Sequence, residues 1–252
     1  MPMMKEERQR LILEELKANK KVNFVQLSTL LNVSYDSIRR DVIELEDKGF
    51  LKKVHGGAVE NSYLNVLSQQ QNHIKDDDLK KLLDKTRPFF KKKNQLILMD
   101  GGTTNFFIAE QLPKDTHATI VTNSPPLALT LNNHLHINVI LLGGSYYKRC
   151  QITLGIDVIN QVKNINADLF FMGVNGIHPE RGLSIRDYEE SIIKQTMMQS
   201  SRRTICCVIG EKLDLVEPYK VAGIEAIDTL VTNLKPQHEQ LTSYKSERLN
   251  IL

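Results

Sequence analysis

Apolar residues near the start of the chain recur at helical spacing in three successive blocks. Leu11, Ile12 and Leu16 mark one face of a helix over residues 5–18. Asn23 is placed to cap a second, short helix over Phe24–Leu31. Ile38, Val42 and Leu45 at i, i+4 and i+7 mark a third, which starts at a capping Ser34 and runs to Gly49. Three turn residues separate the second helix from the third, and Phe-Leu-Lys-Lys-Val-His followed by Gly56-Gly57 predicts a small basic hairpin. Helix, helix, turn, helix and hairpin in this order predict a winged helix-turn-helix over residues 1–59.

The pattern then changes. Residues 59–75 are polar and read as a linker, and Leu79, Leu82 and Leu83 predict a connecting helix closed near Pro88, so that 60–93 forms the connection. From Asn94 onward come short apolar runs, QLILMD, ATIVTN, INVILLGG, ADLFFMGVNG, TICCVIG and DTLVTN, each followed by a small-residue turn and then a helical stretch. Near-continuous apolarity over four to six residues is what strands buried on both faces look like. Alternating with helices, they predict an α/β body over 94–252, doubly wound around a mostly parallel sheet. The last polar stretch, 234–252, is compatible with a terminal helix and strand or with a loose tail.

A chain of 252 residues suits a reader domain of about 60 residues and a larger body. Net charge changes the picture little: it is +3 overall, and residues 1–59 hold eleven Lys/Arg against nine Asp/Glu. Any nucleic-acid signal therefore lies in where charge is placed. Cys150, Cys206 and Cys207 have no zinc-site spacing and read as small hydrophobes in a reducing compartment. The N-terminus is charged where a signal peptide is apolar, and no apolar run reaches the length of about 18 residues that a membrane span needs. A cytoplasmic protein without cofactor or metal is the expectation.

Ser34, Tyr35, Ser37, Arg39 and Arg40 crowd the first turns of the third helix, the part of a reading helix that meets guanine edges and phosphates. Lys53 and His55 extend the surface into the wing. The plainer alternative for Arg40 is an ion pair with Glu44 one turn on, worth about 0.2–0.5 kcal/mol.

In the body, ligands of an open parallel sheet bind outside the carboxyl ends of the strands. Asp100-Gly101-Gly102-Thr103-Thr104, Thr122-Asn123-Ser124, Gly143-Gly144, the turn from Gly173 to Gly176 and Gly210-Glu211-Lys212 should therefore share one rim. Asp-Gly-Gly-Thr-Thr between a strand and a helix has the form of an anion cradle: glycines admit backbone amides, threonines add donors and the helix start adds positive potential. Neither the P-loop pattern nor GxGxxG is present, so nucleotide binding is disfavoured. Lys212 supplies a cation to the same rim, with Lys148 and Arg149 as further candidates, while Asp100, Asn123 and Asn175 suit sugar hydroxyls.

SYDSIRRDVIELEDKGFLKKVHGGA resembles the DNA-binding segment of DeoR-type bacterial transcriptional repressors. That family places a Ser, a hydroxyl residue, two Arg and an Asp where Ser34, Ser37, Arg39, Arg40 and Asp41 stand, shares the HGGA wing and varies at Tyr35 and Asp36. DGGTT, TNS, LLGG, ADLFFMGVNGI with RGLS, and EESIIKQTM resemble the same family's effector domain, itself similar to ribose-5-phosphate isomerase. The resemblance spans residues 5–233. It implies a phosphorylated sugar or related metabolite as effector, held by Asp100, Gly101, Gly102, Thr103, Thr104, Asn123, Ser124, Gly143, Gly144, Arg149, Asn175, Glu189, Lys194 and Lys212. One departure stands out: the family's Asp-x-Ser-Lys is Ile209-Gly210-Glu211-Lys212 here, which keeps the lysine and loses the Asp and Ser.

These readings converge on a sugar-phosphate-responsive repressor of carbohydrate metabolism that binds double-stranded operator DNA as a homo-oligomer, dimer or tetramer, with no membrane partner. The alternative is a sugar-phosphate isomerase with an accessory DNA-binding domain. Against it, Asn175 stands where related isomerases carry an acid, which leaves Glu189 as the remaining base. An exposed Glu189–Lys194 pair at i, i+5 is a further possibility for those two residues.

Overall fold

The structure, a computed structural model, describes residues 4–19, 21–47, 50–60 and 76–252. The chain divides into two compact units, Met1–Gln69 and Gln70–Leu252. The expected helix end at Gly49 and the polar linker of residues 61–75 lie outside the described residues.

The first unit contains α1 (Lys5–Asn19), β1 (Lys21–Asn23), α2 (Phe24–Leu31), α3 (Tyr35–Asp47), β2 (Leu51–Val54) and β3 (Gly57–Glu60). Asn23 Oδ1 accepts from the backbone N–H of Val25 at 2.8 Å and of Gln26 at 3.4 Å, which fixes the start of α2. The helix ends at Asn32, left-handed at φ 51°, a conformation that asparagine tolerates. Ser34 Oγ then accepts from Ser37 N at 3.2 Å and opens α3. One core gathers Ile12, Leu16, Phe24, Leu27, Ile38, Val42, Leu45, Leu51 and Ala58, so α3 has its apolar stripe inside and its arginines outside. β1 is the element that sequence periodicity does not announce. It exists because β3 pairs with it, in the order β1-β3-β2. A side chain at Gly57 would place its Cβ 2.2 Å from Val22 O, so the close approach of these strands requires glycine there.

The second unit runs α4 (Asp76–Thr86), β4 (Gln95–Met99), α5 (Thr103–Glu110), β5 (Ala118–Thr122), α6 (Pro125–Thr130), β6 (Ile137–Leu141), β7 (Ser145–Tyr147), β8 (Ile152–Leu154), α7 (Ile156–Lys163), β9 (Leu169–Met172), β10 (Gly176–His178), β11 (Gly182–Ile185), α8 (Tyr188–Gln199), β12 (Thr204–Val208), β13 (Tyr219–Ala222), β14 (Thr229–Thr232) and β15 (Asn250–Ile251). Its main sheet has seven strands in the order β15-β14-β12-β9-β4-β5-β6, paired in parallel throughout. Successive strand residues face opposite sides. Ile97, Met99, Phe171, Cys207 and Val231 pack with Leu82 of α4, Ile108 of α5 and Leu127 of α6. Leu98, Phe170, Met172, Cys206 and Leu230 pack with Val158 of α7 and Ile193 of α8. Strands β4, β5, β9, β12 and β14 are thus covered on both faces, as their continuous apolar runs predict, whereas β6, at the sheet edge, leaves Ile140 and Leu141 exposed despite its apolar run.

Chain order supplies the functional geography. From β4 the chain moves outward through β5 and β6, then returns to the other side of β4 as β9, so the topological switch point lies between β4 and β9. The β7–β8 and β10–β11 hairpins and β13 each follow the carboxyl end of a main-sheet strand. The terminal segment is built in: Tyr244 is buried, and its hydroxyl donates to Ile177 O at 2.8 Å.

Candidate functional site

In the first unit, Tyr35, Arg39 and Arg40 are exposed on α3, and His55 is exposed at the two-residue turn of the β2–β3 wing. Tyr35 leans edge-on against Phe24, with ring centroids 5.7 Å apart. Arg40 Nε donates to Asp36 O at 3.3 Å, while Glu44 takes Lys5 at 2.5 Å. The two hydroxyls of Ser34 and Ser37 meet at 2.9 Å, which places both at the cap. Asp41, within the resemblance's motif, faces inward: it is buried and holds Arg8 of α1 through Nε and through Nη2 at 3.2 Å. Lys53 is half-buried, and its backbone N–H donates to Glu46 Oε1 at 2.9 Å. Asp41 and Glu44 thus each engage a cation of α1, while Arg39 and Arg40 are exposed on α3.

In the second unit, the strand-end turns share the carboxyl edge of the sheet because every strand points the same way. The centre is Asp100, directly after β4. Gly173 N, directly after β9, donates to both of its carboxylate oxygens at 3.1 Å. Asn105 Nδ2 donates to Oδ1 at 2.7 Å and also reaches Phe171 O at 2.8 Å. Lys194 Nζ donates to Oδ2 at 2.5 Å and to Glu190 Oε1 at 3.1 Å. Burial pushes the Asp100 carboxyl up to about 6, against the pull of Lys194. Burial also opposes the Lys194 ammonium, but Asp100 and Glu190 outweigh it and hold its pKa above the ordinary lysine value.

Around this centre, Gly101 N donates to Asn123 Oδ1 at 3.3 Å, and Asn123 Nδ2 donates to Thr153 O at 3.0 Å. Ser124 Oγ accepts from Leu127 N and caps α6. Gly102 is the N-cap of α5, so Thr103 and Thr104 form its first turn. Thr104 is buried, and among the described residues its hydroxyl has no hydrogen-bond partner. Lys212 Nζ donates to Val174 O at 2.8 Å, next to Gly173. Its pKa is lowered, chiefly by burial. Asn175 Oδ1 accepts from Arg186 N at 3.3 Å.

Four expected members, Gly143, Gly144, Arg149 and Glu189, stand apart from this network. Gly143 and Gly144 are exposed, with Gly143 clamped by Gln161, whose Oε1 accepts from Gly143 N at 3.1 Å and whose Nε2 donates to Gly143 O at 2.9 Å. Arg149 is exposed. Glu189 points outward, and the partner of Lys194 is Glu190 instead, so the exposed i, i+5 pair does not form. Residues one turn apart meet on a helix, and that spacing identifies Glu190 in the sequence. Glu211 is also exposed, clear of the buried carboxylate. Among the described residues no cluster of three or more His, Cys, Asp or Glu could hold a metal ion, and no helix is long and apolar enough to cross a membrane.

Residues 8–63 match the DeoR-like helix-turn-helix domain, and residues 90–234 match the DeoR C terminal sensor domain. The HTH-type transcriptional regulator GolR of Listeria innocua is 31% identical over 233 residues, covering 91% of this chain and 91% of that protein. The deoxyribose operon repressor of Escherichia coli is 25% identical over the full length of both chains. Among solved structures, ribose 5-phosphate isomerase A from Neisseria gonorrhoeae is similar at 18% identity and a TM-score of 0.40, across 55% of this chain and 54% of that one. With a reader unit and a sensor unit both matched, the chain belongs to the DeoR family and is a transcription regulator rather than an enzyme.

Proposed function

We propose that this regulator is a cytoplasmic repressor of carbohydrate-metabolism genes whose grip on operator DNA is set by a phosphorylated sugar bound at the carboxyl rim. The observation that carries the reading is the rim itself. A glycine-threonine turn opens α5 with a buried Thr104 hydroxyl that has no partner among the described residues, and Lys212 lies on a neighbouring turn next to Gly173 and the Asp100 carboxylate. Helix-start amides, hydroxyls and a lysine suit a phosphate, while Asp100, Asn123 and Asn175 suit hydroxyl groups. Because Lys194 is neutralised by two carboxylates, its role is to order the floor of the site, and Lys212 is the cation offered to the anion. The name of the E. coli relative speaks of repression of a deoxyribose operon, which supports the same sign of control here.

On the DNA side, the exposed Tyr35, Arg39 and Arg40, with His55 on the wing, form the reading surface, and Ser34 and Ser37 order the start of the helix. Two reader units in a homo-oligomer fit palindromic or repeated operators. A thermal-shift screen of sugar phosphates tests the sensor half. Stabilisation by one of them that is lost in Lys212→Ala supports the proposal, and a flat response to the whole panel overturns it.

A further inference from the structure

We propose that Lys85 is a positioning residue of the rim site: it ties the turn that carries Lys212 to α4, the helix that follows the connector, so that an anion at the rim alters how α4 is held. The inference deepens the anion reading above and rests on it.

Lys85 lies in the last turn of α4, and its Nζ donates to Thr232 O at 2.6 Å and to Leu234 O at 2.7 Å. Those carbonyls flank Asn233 at the carboxyl end of β14. An ammonium has three donors and no acceptor, and two of these three are fixed on one strand end, unlike those of an ordinary solvated lysine. The strand end is in turn fixed to the Lys212 turn. Gly210 N donates to Asn233 Oδ1 at 2.8 Å. The side chain of Leu234 lies so close to Gly210 that a Cβ there would come within 3.1 Å of it. Gly210–Lys212 is a single 3₁₀ turn, and at its far end Lys212 Nζ holds Val174 O at 2.8 Å.

A phosphate at the rim competes with Val174 O for the donors of Lys212. Reorienting that lysine moves a turn of three residues whose other end is hydrogen-bonded to Asn233, between the two carbonyls that Lys85 grips. In sequence, α4 is joined to the winged unit by residues 61–75. Anchoring of α4 is therefore where occupancy of the rim can reach the connector. The effect requires only that the two states differ in contacts at this turn.

Hydrogen exchange on the full-length chain with and without inorganic phosphate tests this, following peptides over 76–86 and 210–213. The expected result is that phosphate changes exchange at 210–213 in every form. At 76–86 it should change exchange at least about fivefold in the wild type, the lower end of ordinary coupling, and much less in Lys85→Met. Asn233→Ala cuts the same link from the other side without touching α4 and should behave alike if Lys85→Met fails to fold. A response at 210–213 with none at 76–86 in the wild type, or one at 76–86 that survives both substitutions, overturns the role of Lys85. No response at 210–213 in any form overturns the anion reading and this inference with it.

Discussion

Lys194 Nζ lies 2.5 Å from Asp100 Oδ2, with the two side chains only 2% and 3% exposed. The contact joins the end of β4 to the middle of α8 across the switch point of the sheet. Removing one member of a buried pair leaves an uncompensated charge, whereas replacing both with apolar groups is often neutral. Lys194→Met should therefore lower the stability of the sensor unit by about 3–5 kcal/mol, and combining it with Asp100→Leu should restore much of the loss. Urea denaturation of the two variants checks this. A double variant no better than the single would mean that Asp100 is held by its amide partners alone.

Protonation of Lys212 should tune ligand affinity. Its folded pKa is lowered chiefly by burial, and an anion favours the ammonium, so binding raises that pKa again and takes up protons in the window between the two values. Phosphate affinity should fall as pH rises through the lowered pKa, earlier than an ordinary lysine would allow. Calorimetry in buffers of different ionisation enthalpy reads the proton uptake directly, and Lys212→Met should abolish it.

Arg40 and Asp41 are neighbours with opposite duties. Arg40 is exposed, so Arg40→Ala should leave stability within about 0.5 kcal/mol and reduce the salt dependence of binding to any DNA duplex by about one unit of slope. Asp41→Ala removes the buried carboxylate that Arg8 holds through two nitrogens and should destabilise the winged unit by about 3 kcal/mol. Fluorescence anisotropy over a salt series and thermal melts separate the two effects.

Gly101→Ala would bring a Cβ to 2.2 Å from Ile152 Cγ2 and 3.3 Å from Ser124 Cβ. Overpacking of this kind costs about 1–3 kcal/mol, and it would displace Gly101 N from Asn123. Loss of phosphate binding out of proportion to the drop in melting temperature is the expected outcome.

Much of this arrangement is legible in the chain. Five of the seven main-sheet strands stand out because burial on both faces demands unbroken apolar runs; β6 has such a run too, but lies at the sheet edge with Ile140 and Leu141 exposed, so burial on both faces does not explain it. Parallel pairing then sends the polar turns to one edge. Asn23 and Ser34 announce helix starts because their side chains can take the first free amides. Other features escape periodicity. β1 is a three-residue strand with its two ends exposed, created by its pairing with β3. β15 has two residues and is a strand only because β14 lies beside it. Glu189 does not meet Lys194 because a step of five carries a side chain well away from it, whereas the step of four from Glu190 does not. Lys85 has no local signal at all: its partners lie 147 and 149 residues further along the chain.

The most direct measurement is capture of genomic DNA fragments on the immobilised full-length protein, followed by elution with a panel of sugar phosphates and the matching unphosphorylated sugars. The account predicts that a small set of fragments is retained, that one phosphorylated sugar releases them while its unphosphorylated form does not, and that Lys212→Ala retains the same fragments without release. Release by an unphosphorylated sugar, or full release from Lys212→Ala, would contradict it.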